Sequence, residues 1–184
     1  MTLFITTTVL DFVHAFRREE MRDAMAYHLA RECKLAGVAL YGFVVMPHHT
    51  HMVVRLGPKL AGPDFMRRFK ANSAAAMKKL LIKAENKEFD QQRGLNRHQF
   101  WKCSYRSVRI EGERMFWQKM AYLHANPVKA GYVERAEDYR WSSARFVLGG
   151  LWSDESGLAY NEVMDSLGTW EADRVRPDSE RAEA

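Results

Sequence analysis

The stretch Val38-Ala39-Leu40-Tyr41-Gly42-Phe43-Val44-Val45-Met46 is apolar almost throughout. A run of this length and composition predicts a central strand that is buried on both faces. Pro47-His48-His49 follows as a short turn, and residues 50–56 (Thr-His-Met-Val-Val-Arg-Leu) are predicted to form a second strand.

Outward from this pair, the chain alternates between strand and helix patterns. Strands are predicted at 3–9 and 105–110, and helices at 18–36, 64–84 and 112–126. Pro127 is expected to end the last helix, since proline has no N–H to continue the hydrogen-bond ladder. The order β-α-β-β-α-β followed by a helix predicts a ferredoxin-like α+β fold, in which an antiparallel sheet carries helices on one face.

The chain length of 184 residues predicts one principal domain, which we place at residues 1–147. Residues 148–184 form a C-terminal extension whose acidic, small-residue end is expected to be disordered. The polar residues 85–97 are expected to form a flexible loop.

Net charge is +5 with a pI of about 9.3, and the basic residues are concentrated in the body of the chain. This charge weakly favours a polyanionic partner. No run of about 18 apolar residues and no signal peptide is visible, so no membrane partner is expected. Cys33 and Cys103 form no CxxC pair and are typical of reduced thiols, which predicts a cytoplasmic protein.

His49 and His51 are two residues apart in a predicted strand, so their side chains point to the same face. Two adjacent imidazoles on a rigid sheet can begin a metal site, which then needs at least one more ligand. The alternative is a solvent-facing strand that happens to carry histidines. His48 lies in the turn and is expected to face solvent or DNA rather than the metal.

Tyr122 and Asn126 are four residues apart and share one face of the late helix, with Gln118 one turn earlier. Phosphodiester transfer needs a nucleophile in line with the leaving oxygen and a cation that neutralises developing charge. A tyrosine hydroxyl beside a metal ion meets both needs. The alternative is that Tyr122 is a half-buried core aromatic and that Asn126 before Pro127 is ordinary helix-stop chemistry.

Together these segments resemble a known family. The run Gly42-Phe-Val-Val-Met-Pro-His-His-Thr-His-Met-Val-Val54 resembles the HUH motif of IS200-like Y1 transposases. The runs Tyr122-Leu-His-Ala-Asn-Pro-Val-Lys-Ala-Gly131 and Asp138-Tyr-Arg-Trp-Ser-Ser143 resemble the branch called REP-associated tyrosine transposases. The resemblance covers residues 3 to 146. The central HUH residue is usually bulky and hydrophobic, whereas here it is Thr50, which is expected to point to the other face of the sheet.

The resemblance implies a reaction and its residues. His49 and His51 match the metal-binding histidines, and Asn126 matches the amide-type third ligand of Mg²⁺ or Mn²⁺. Tyr122 matches the nucleophile, which forms a 5′-phosphotyrosine link and releases a 3′-hydroxyl. The implied substrate is single-stranded DNA next to a hairpin. Relatives work as homodimers that complete each other's sites or as monomers, and both states stay open.

A DNA substrate predicts phosphate contacts from basic side chains off the apolar stripes. The candidates are Arg67, Arg68, Lys70, Lys78 and Lys79 on the 64–84 helix, and Arg106 and Arg109 on the short strand. Aromatic rings can stack on unpaired bases, and the candidates are Trp101, Tyr105 and Trp141. The alternatives are solvated charged faces and core aromatics.

Two other functions compete with the transesterase. One is a non-catalytic hairpin-binding protein or repressor on the same fold, which has no need of all of His49, His51, Tyr122 and Asn126. The other is a metal-dependent phosphodiesterase in which water attacks and Tyr122 is structural.

Overall fold

The computed structural model describes residues 1–83 and 99–148, and these form an α+β fold around one antiparallel sheet. The strands are β1 (Thr2–Thr8), β2 (Ala39–Met46), β3 (His49–Arg55) and β4 (Arg106–Arg109), in the order β2-β3-β1-β4. The helices are α1 (Glu19–Leu35), α2 (Gly62–Lys83), α3 (Glu113–Lys129) and the short α4 (Ala144–Leu148). This arrangement confirms the ferredoxin-like prediction. The expected loop at 85–97 and the extension after residue 148 lie outside the described residues.

The strand register assigns each side chain to one of two faces of the sheet. Phe4 pairs with Val53 and Thr6 pairs with His51, so these side chains share one face, the site face. Leu3 alternates with them and therefore points to the opposite, helical face. The first residue of α2, Gly62, lies close to the Leu3 side chain, and α1 packs against α2, so these two helices cover the helical face.

Helix α3 packs on the site face instead, where Tyr122 contacts Phe4. A Cβ on Gly42 of β2 would lie 2.6 Å from the Cε atom of Met120, so a residue without a side chain allows the close approach of α3. The prediction that the helices lie on one face of the sheet is therefore correct for α1 and α2. Helix α3 lies on the other face.

Helix α3 continues through Pro127 to Lys129, so the prediction that Pro127 ends it was wrong. A proline costs the helix one hydrogen bond, the one that would be accepted by the Leu123 carbonyl. The Asn126 side chain partly replaces it, since Nδ2 donates to the Tyr122 carbonyl at 2.8 Å and approaches the Leu123 carbonyl at 3.5 Å. The helix ends at Lys129, and Gly131, two residues beyond it, has a φ of 72°, a left-handed conformation that suits glycine.

Strand β2 lies at the edge of the sheet, so the prediction of a central strand was wrong, and its burial comes from the segment from Tyr139 to Ser143, which covers its outer edge. The Val45 N–H donates to the Trp141 carbonyl and the Ser143 N–H donates to the Phe43 carbonyl, each at 2.9 Å. The Tyr139 hydroxyl donates to the Val45 carbonyl, also at 2.9 Å. This cover removes the exposed strand edge that would otherwise pair with other chains.

Trp141 lies in this segment and is only 7% exposed. Its Nε1 donates to Asp23 Oδ1 at 2.8 Å, and the Arg22 guanidinium lies 3.8 Å from its ring centroid. The prediction that Trp141 stacks on a DNA base was therefore wrong, because the ring is packed into the protein. Trp101 is buried as well, and its Nε1 donates to Ser73 Oγ at 3.0 Å.

No helix within residues 1–83 or 99–148 combines the length and apolar character needed to cross a lipid bilayer. Both cysteines are free thiols, Cys33 buried and Cys103 exposed.

Stability is expected to fall in mild acid because of His28 on α1. Burial, with a smaller contribution from Arg31, lowers the pKa of His28 to about 4, against about 6.5 in an unfolded chain. Between pH 6.5 and 4 the unfolded chain therefore binds a proton that the folded chain does not, so the free energy of unfolding decreases as pH falls. From pH 7 to pH 5 we expect His28 to contribute a loss of about 1–2 kcal/mol.

Urea unfolding at pH 7 and pH 5 measures this loss. His28→Met removes the titrating group and keeps an apolar side chain, so the variant should lose about 1–2 kcal/mol less than the parent over the same interval. An identical pH dependence in parent and variant would show that His28 is not the group responsible.

Candidate active site

His49 and His51 are brought together by strand β3. Both side chains lie on the site face, and their Nε2 atoms are 3.1 Å apart. Burial lowers the pKa of His49 to about 3, with smaller contributions from His51 and His48. Burial also lowers the pKa of His51 to about 4, opposed in part by its hydrogen bond with Asn126. Both imidazoles are therefore neutral at physiological pH, the form that binds a metal ion.

Thr6 orients His51. The Thr6 hydroxyl lies 2.8 Å from Nδ1 of His51, from the neighbouring strand β1. A proton on Nδ1 that is donated to this hydroxyl leaves the Nε2 lone pair directed toward His49. Such a contact behind the ligand is typical of histidines that bind metal ions. Thr6 carries no signal in the sequence alone, because its position opposite His51 becomes visible only when the strand register is known.

The site fits a divalent ion. Two ligands at about 2.1 Å in neighbouring octahedral positions are about 3.0 Å apart, close to the separation of the two Nε2 atoms. Residues 1–83 and 99–148 contain no group of three or more His, Cys, Asp and Glu side chains that could hold a metal. A third protein ligand from this part of the chain must therefore be of another type. Asn126 qualifies, because its Nδ2 donates to the Tyr122 carbonyl and its Oδ1 is the amide atom that faces His51, where it could bind an ion in place of the hydrogen bond to the imidazole.

Tyr122 lies beside the histidine pair within the same chain. Its ring centroid is 5.7 Å from that of His51 and 5.8 Å from that of Phe4, in both cases edge to face. The side chain is nevertheless 47% exposed. A core aromatic would be covered on all sides, whereas this tyrosine lies beside His51 and is open to solvent.

Two lysines flank Tyr122 and Asn126 along the same face of α3. Lys119 precedes Tyr122 by three residues and Lys129 follows Asn126 by three, which is one continuous helix face. The Lys119 ammonium is 5.5 Å from the Phe4 ring centroid, and the Lys129 ammonium is 5.5 Å from that of Tyr122. Neither lysine was among the residues predicted to contact DNA, although their helical spacing from Tyr122 and Asn126 was a signal in the sequence.

The two arginines of strand β4 point to opposite faces of the sheet. Arg106 pairs with Thr6, which in turn pairs with His51, so all three side chains share the site face. Arg109 pairs with Leu3 and points to the helical face, where it forms an ion pair with Glu111 at 3.6 Å. Of the two, Arg106 is therefore the one that shares a sheet face with the histidine pair.

The basic residues of α2 lie in the helical layer, across the sheet from the histidine pair. Arg67 pairs with Asp64 at 3.1 Å, whereas Arg68 and Lys79 are exposed and Lys78 is half-buried. The ammonium of Lys70 donates to the carbonyls of residues 102, 103 and 104 at 2.8, 3.1 and 2.9 Å. Lys70 thus holds a chain segment in place, which argues against the predicted phosphate contact.

Thr50 and His48 flank His49. Thr50 is fully buried and pairs with Thr7, so it points to the helical face as expected. His48 is half-buried rather than open to solvent, because its ring stacks on His14 with centroids 5.2 Å apart. The close approach of Nε2 atoms is between His49 and His51, whereas the ring of His48 packs against His14.

Comparisons with known proteins gave one family match and similar solved structures. Residues 10–126 match the protein family described as "Transposase IS200 like", and that span includes His49, His51, Tyr122 and Asn126. The structure of a REP-associated tyrosine transposase bound to a REP hairpin is similar, with a TM-score of 0.55 and 19% identity over 85% of this chain and 90% of that one.

A second similar structure is that of a putative transposase from Deinococcus radiodurans R1, with a TM-score of 0.49 and 20% identity over 66% of this chain and 87% of that one. Comparison with curated proteins gave no significant match. Since the family match covers more than half of the chain, this protein belongs to the IS200-like transposase family.

Proposed function

We propose that this protein is a single-stranded DNA transesterase that nicks and rejoins DNA next to hairpins. The observation that carries the proposal is the position of Tyr122, which is exposed and lies against His51 of the same chain. A nucleophile of phosphoryl transfer and a pair of neutral imidazoles therefore meet at one place on the surface.

In the proposed reaction, the Tyr122 hydroxyl loses its proton and its oxygen attacks the phosphorus of the scissile phosphodiester. A bond forms between the phenolic oxygen and phosphorus while the bond from phosphorus to the 3′-oxygen breaks. The products are a 5′-phosphotyrosine and a strand with a free 3′-hydroxyl, which takes up a proton. Attack of a 3′-hydroxyl on the phosphotyrosine reverses these steps and rejoins DNA without a further energy source.

His49, His51 and Asn126 would hold the divalent ion, Mg²⁺ or Mn²⁺. Such an ion withdraws charge from the phosphate oxygens and makes phosphorus more reactive. The chain's own residues contribute the rest. Lys119 and Lys129 place positive charge on either side of Tyr122, and Thr6 keeps His51 in the orientation required for binding.

A hairpin substrate is supported by the similar structure, whose protein is a REP-associated tyrosine transposase bound to a REP hairpin. We infer that this chain belongs to the same branch. We also infer that one chain suffices for catalysis, because Tyr122 contacts His51 within a single protomer. Exchange of α3 between two protomers is not needed to assemble the site.

The decisive experiment is a covalent trapping assay. The protein is incubated with Mn²⁺ and a labelled hairpin oligonucleotide that carries single-stranded flanks, then separated on a denaturing protein gel. A labelled band at the mass of protein plus DNA is expected, and proteolysis followed by mass spectrometry should place the DNA on Tyr122. Cleavage without an adduct favours the hydrolase, and binding without cleavage favours the hairpin-binding repressor.

Lys129→Ala is expected to weaken binding of the same hairpin about 5- to 10-fold at low salt. The reason is that Lys129 lies on the α3 face beside Tyr122, where one phosphate contact would be lost. The slope of log affinity against log salt should also fall by about 1. Lys79→Ala is the matched control, since this exposed lysine lies in the helical layer. Equal losses in both variants would contradict a DNA path along the site face.

A further inference from the structure

A set of aromatic rings extends from the histidine pair to the protein surface. It consists of Phe12, His14 and His48 together with Lys102, and we call it the ring shelf. His48 is the link, with ring centroids 4.6 Å from His49 and 5.9 Å from Phe12. The Lys102 ammonium lies 3.5 Å from the centroid of the Phe12 ring. The shelf thus joins a metal-binding candidate to an exposed aromatic and a cation.

Phe12 is held outside the core by an unusual backbone. Its side chain is 58% exposed, and both Asp11 and Phe12 adopt left-handed conformations with φ of 55° and 56°. Two consecutive residues other than glycine in this region cost free energy, and such conformations persist where the surroundings enforce them, often at binding sites.

The surroundings here do enforce the conformation. The Phe12 N–H donates to the Val9 carbonyl at 3.2 Å, and the Val9 N–H donates to the His48 carbonyl at 2.8 Å. The Leu10 N–H donates to the Phe100 carbonyl at 2.9 Å. The turn that presents Phe12 is therefore attached both to the turn before His49 and to the segment that carries Lys102, so the shelf is a preformed surface.

We propose that the ring shelf is a binding subsite for an unpaired nucleotide close to the scissile phosphate, with its base stacked on Phe12 and its phosphate near Lys102. The proposal rests on the proposed function, which places a single strand at the neighbouring histidines. The Lys102 ammonium lies over one face of the exposed Phe12 ring, so the base would stack on the other face. This pair suits a nucleotide, because a base offers a π-face and its phosphate a negative charge. Two ring contacts separate Phe12 from His49, so the nucleotide adjoins the scissile phosphate or lies one position beyond it.

The test is an abasic scan in the full-length Tyr122→Phe protein, which leaves the DNA uncut. Each position of the single-stranded flanks of a labelled hairpin is replaced in turn by an abasic site, and dissociation constants are measured. At one position, or at two adjacent ones, loss of the base is expected to weaken binding about tenfold. Addition of Phe12→Ala should remove that position's penalty, leaving less than about a twofold effect, because the ring on which the base stacks is gone.

Three variants make the result specific. Phe12→Trp should retain the penalty, whereas Phe12→Leu keeps apolar bulk without a ring and should lose it, which guards against a folding defect in Phe12→Ala. Leu35→Ala removes a similarly exposed apolar side chain at the other end of the sheet and should leave the scan unchanged. If the abasic scan gives the same dissociation constants with and without Phe12→Ala, the proposed subsite is refuted.

The readout is independent of the covalent chemistry. A protein that forms no phosphotyrosine but shows the Phe12-dependent abasic penalty would refute the proposed function and leave the subsite standing. A protein that forms the adduct but shows no Phe12-dependent abasic penalty would support the proposed function and refute the subsite.

Discussion

Tyr122→Phe is expected to abolish covalent attachment to DNA and lower cleavage by at least about 10⁴-fold, because the attacking oxygen is the only atom removed. The ring contacts with His51 and Phe4 do not involve that oxygen, so the helix should stay in place. Hairpin affinity is expected to stay within about twofold, and stability within about 0.5 kcal/mol, since the side chain is half-exposed.

Adduct yield on a denaturing gel, cleavage of labelled DNA and a binding curve for the same hairpin measure these effects together. Tyr132→Phe is the matched control, because Tyr132 is equally exposed but lies beyond the end of α3. An adduct of unchanged yield in Tyr122→Phe would assign the nucleophile to another residue. Undiminished cleavage with no adduct would instead identify water as the attacking group.

His49→Ala is expected to have the second largest effect, a loss of about 10³-fold or more in adduct formation, with hairpin affinity nearly unchanged. One of the two neutral imidazole nitrogens that face each other at 3.1 Å disappears. Loss of a group behind a metal ligand already lowers metal affinity about 10- to 100-fold, so loss of a ligand itself should weaken binding of a divalent ion by at least that factor. His49 is a better choice than His51, whose ring stacks on Phe4 and bonds to Thr6, so that its removal would also destabilise the fold.

Titration of Mn²⁺ into the DNA-free protein, followed by its paramagnetic signal, provides a readout that does not depend on activity. His28→Met serves as the control, since it removes a histidine that is buried in α1. A large loss of hairpin affinity in His49→Ala would contradict a purely catalytic role for the metal. Unchanged Mn²⁺ affinity would show that His49 is not a ligand.

Local patterns predicted the elements that carry these side chains. The apolar run before Pro47 became β2, and the helix predicted at 64–84 became α2 at Gly62–Lys83. Local rules were less successful where the chain makes long-range contacts. Proline chemistry alone predicted that α3 ends at residue 126, but the helix continues to Lys129, and the Asn126 side chain partly replaces the lost bond to the Leu123 carbonyl.

The surface residues show the same division. Trp141 and Lys70 look available for DNA in the sequence, yet Trp141 is bonded to Asp23 from a distant helix and Lys70 to three carbonyls more than thirty residues away. Arg106 and Arg109 are equivalent by composition, and only their pairing with β1 separates them. Register is a property of two paired strands, so the sequence of β4 alone does not predict which of its side chains point to which face of the sheet.

By itself, the sequence determined which side chains share a face within each element. Strand geometry places His49 and His51 on one face and Thr50 on the other, and helix geometry aligns Tyr122 with Asn126, because these periods are set by the backbone. Only the tertiary structure decided that the two faces meet. Helix α3 lies against the histidine side of the sheet through packing of Met120 over Gly42, a contact between residues 78 positions apart that depends on shape and volume rather than on any local period.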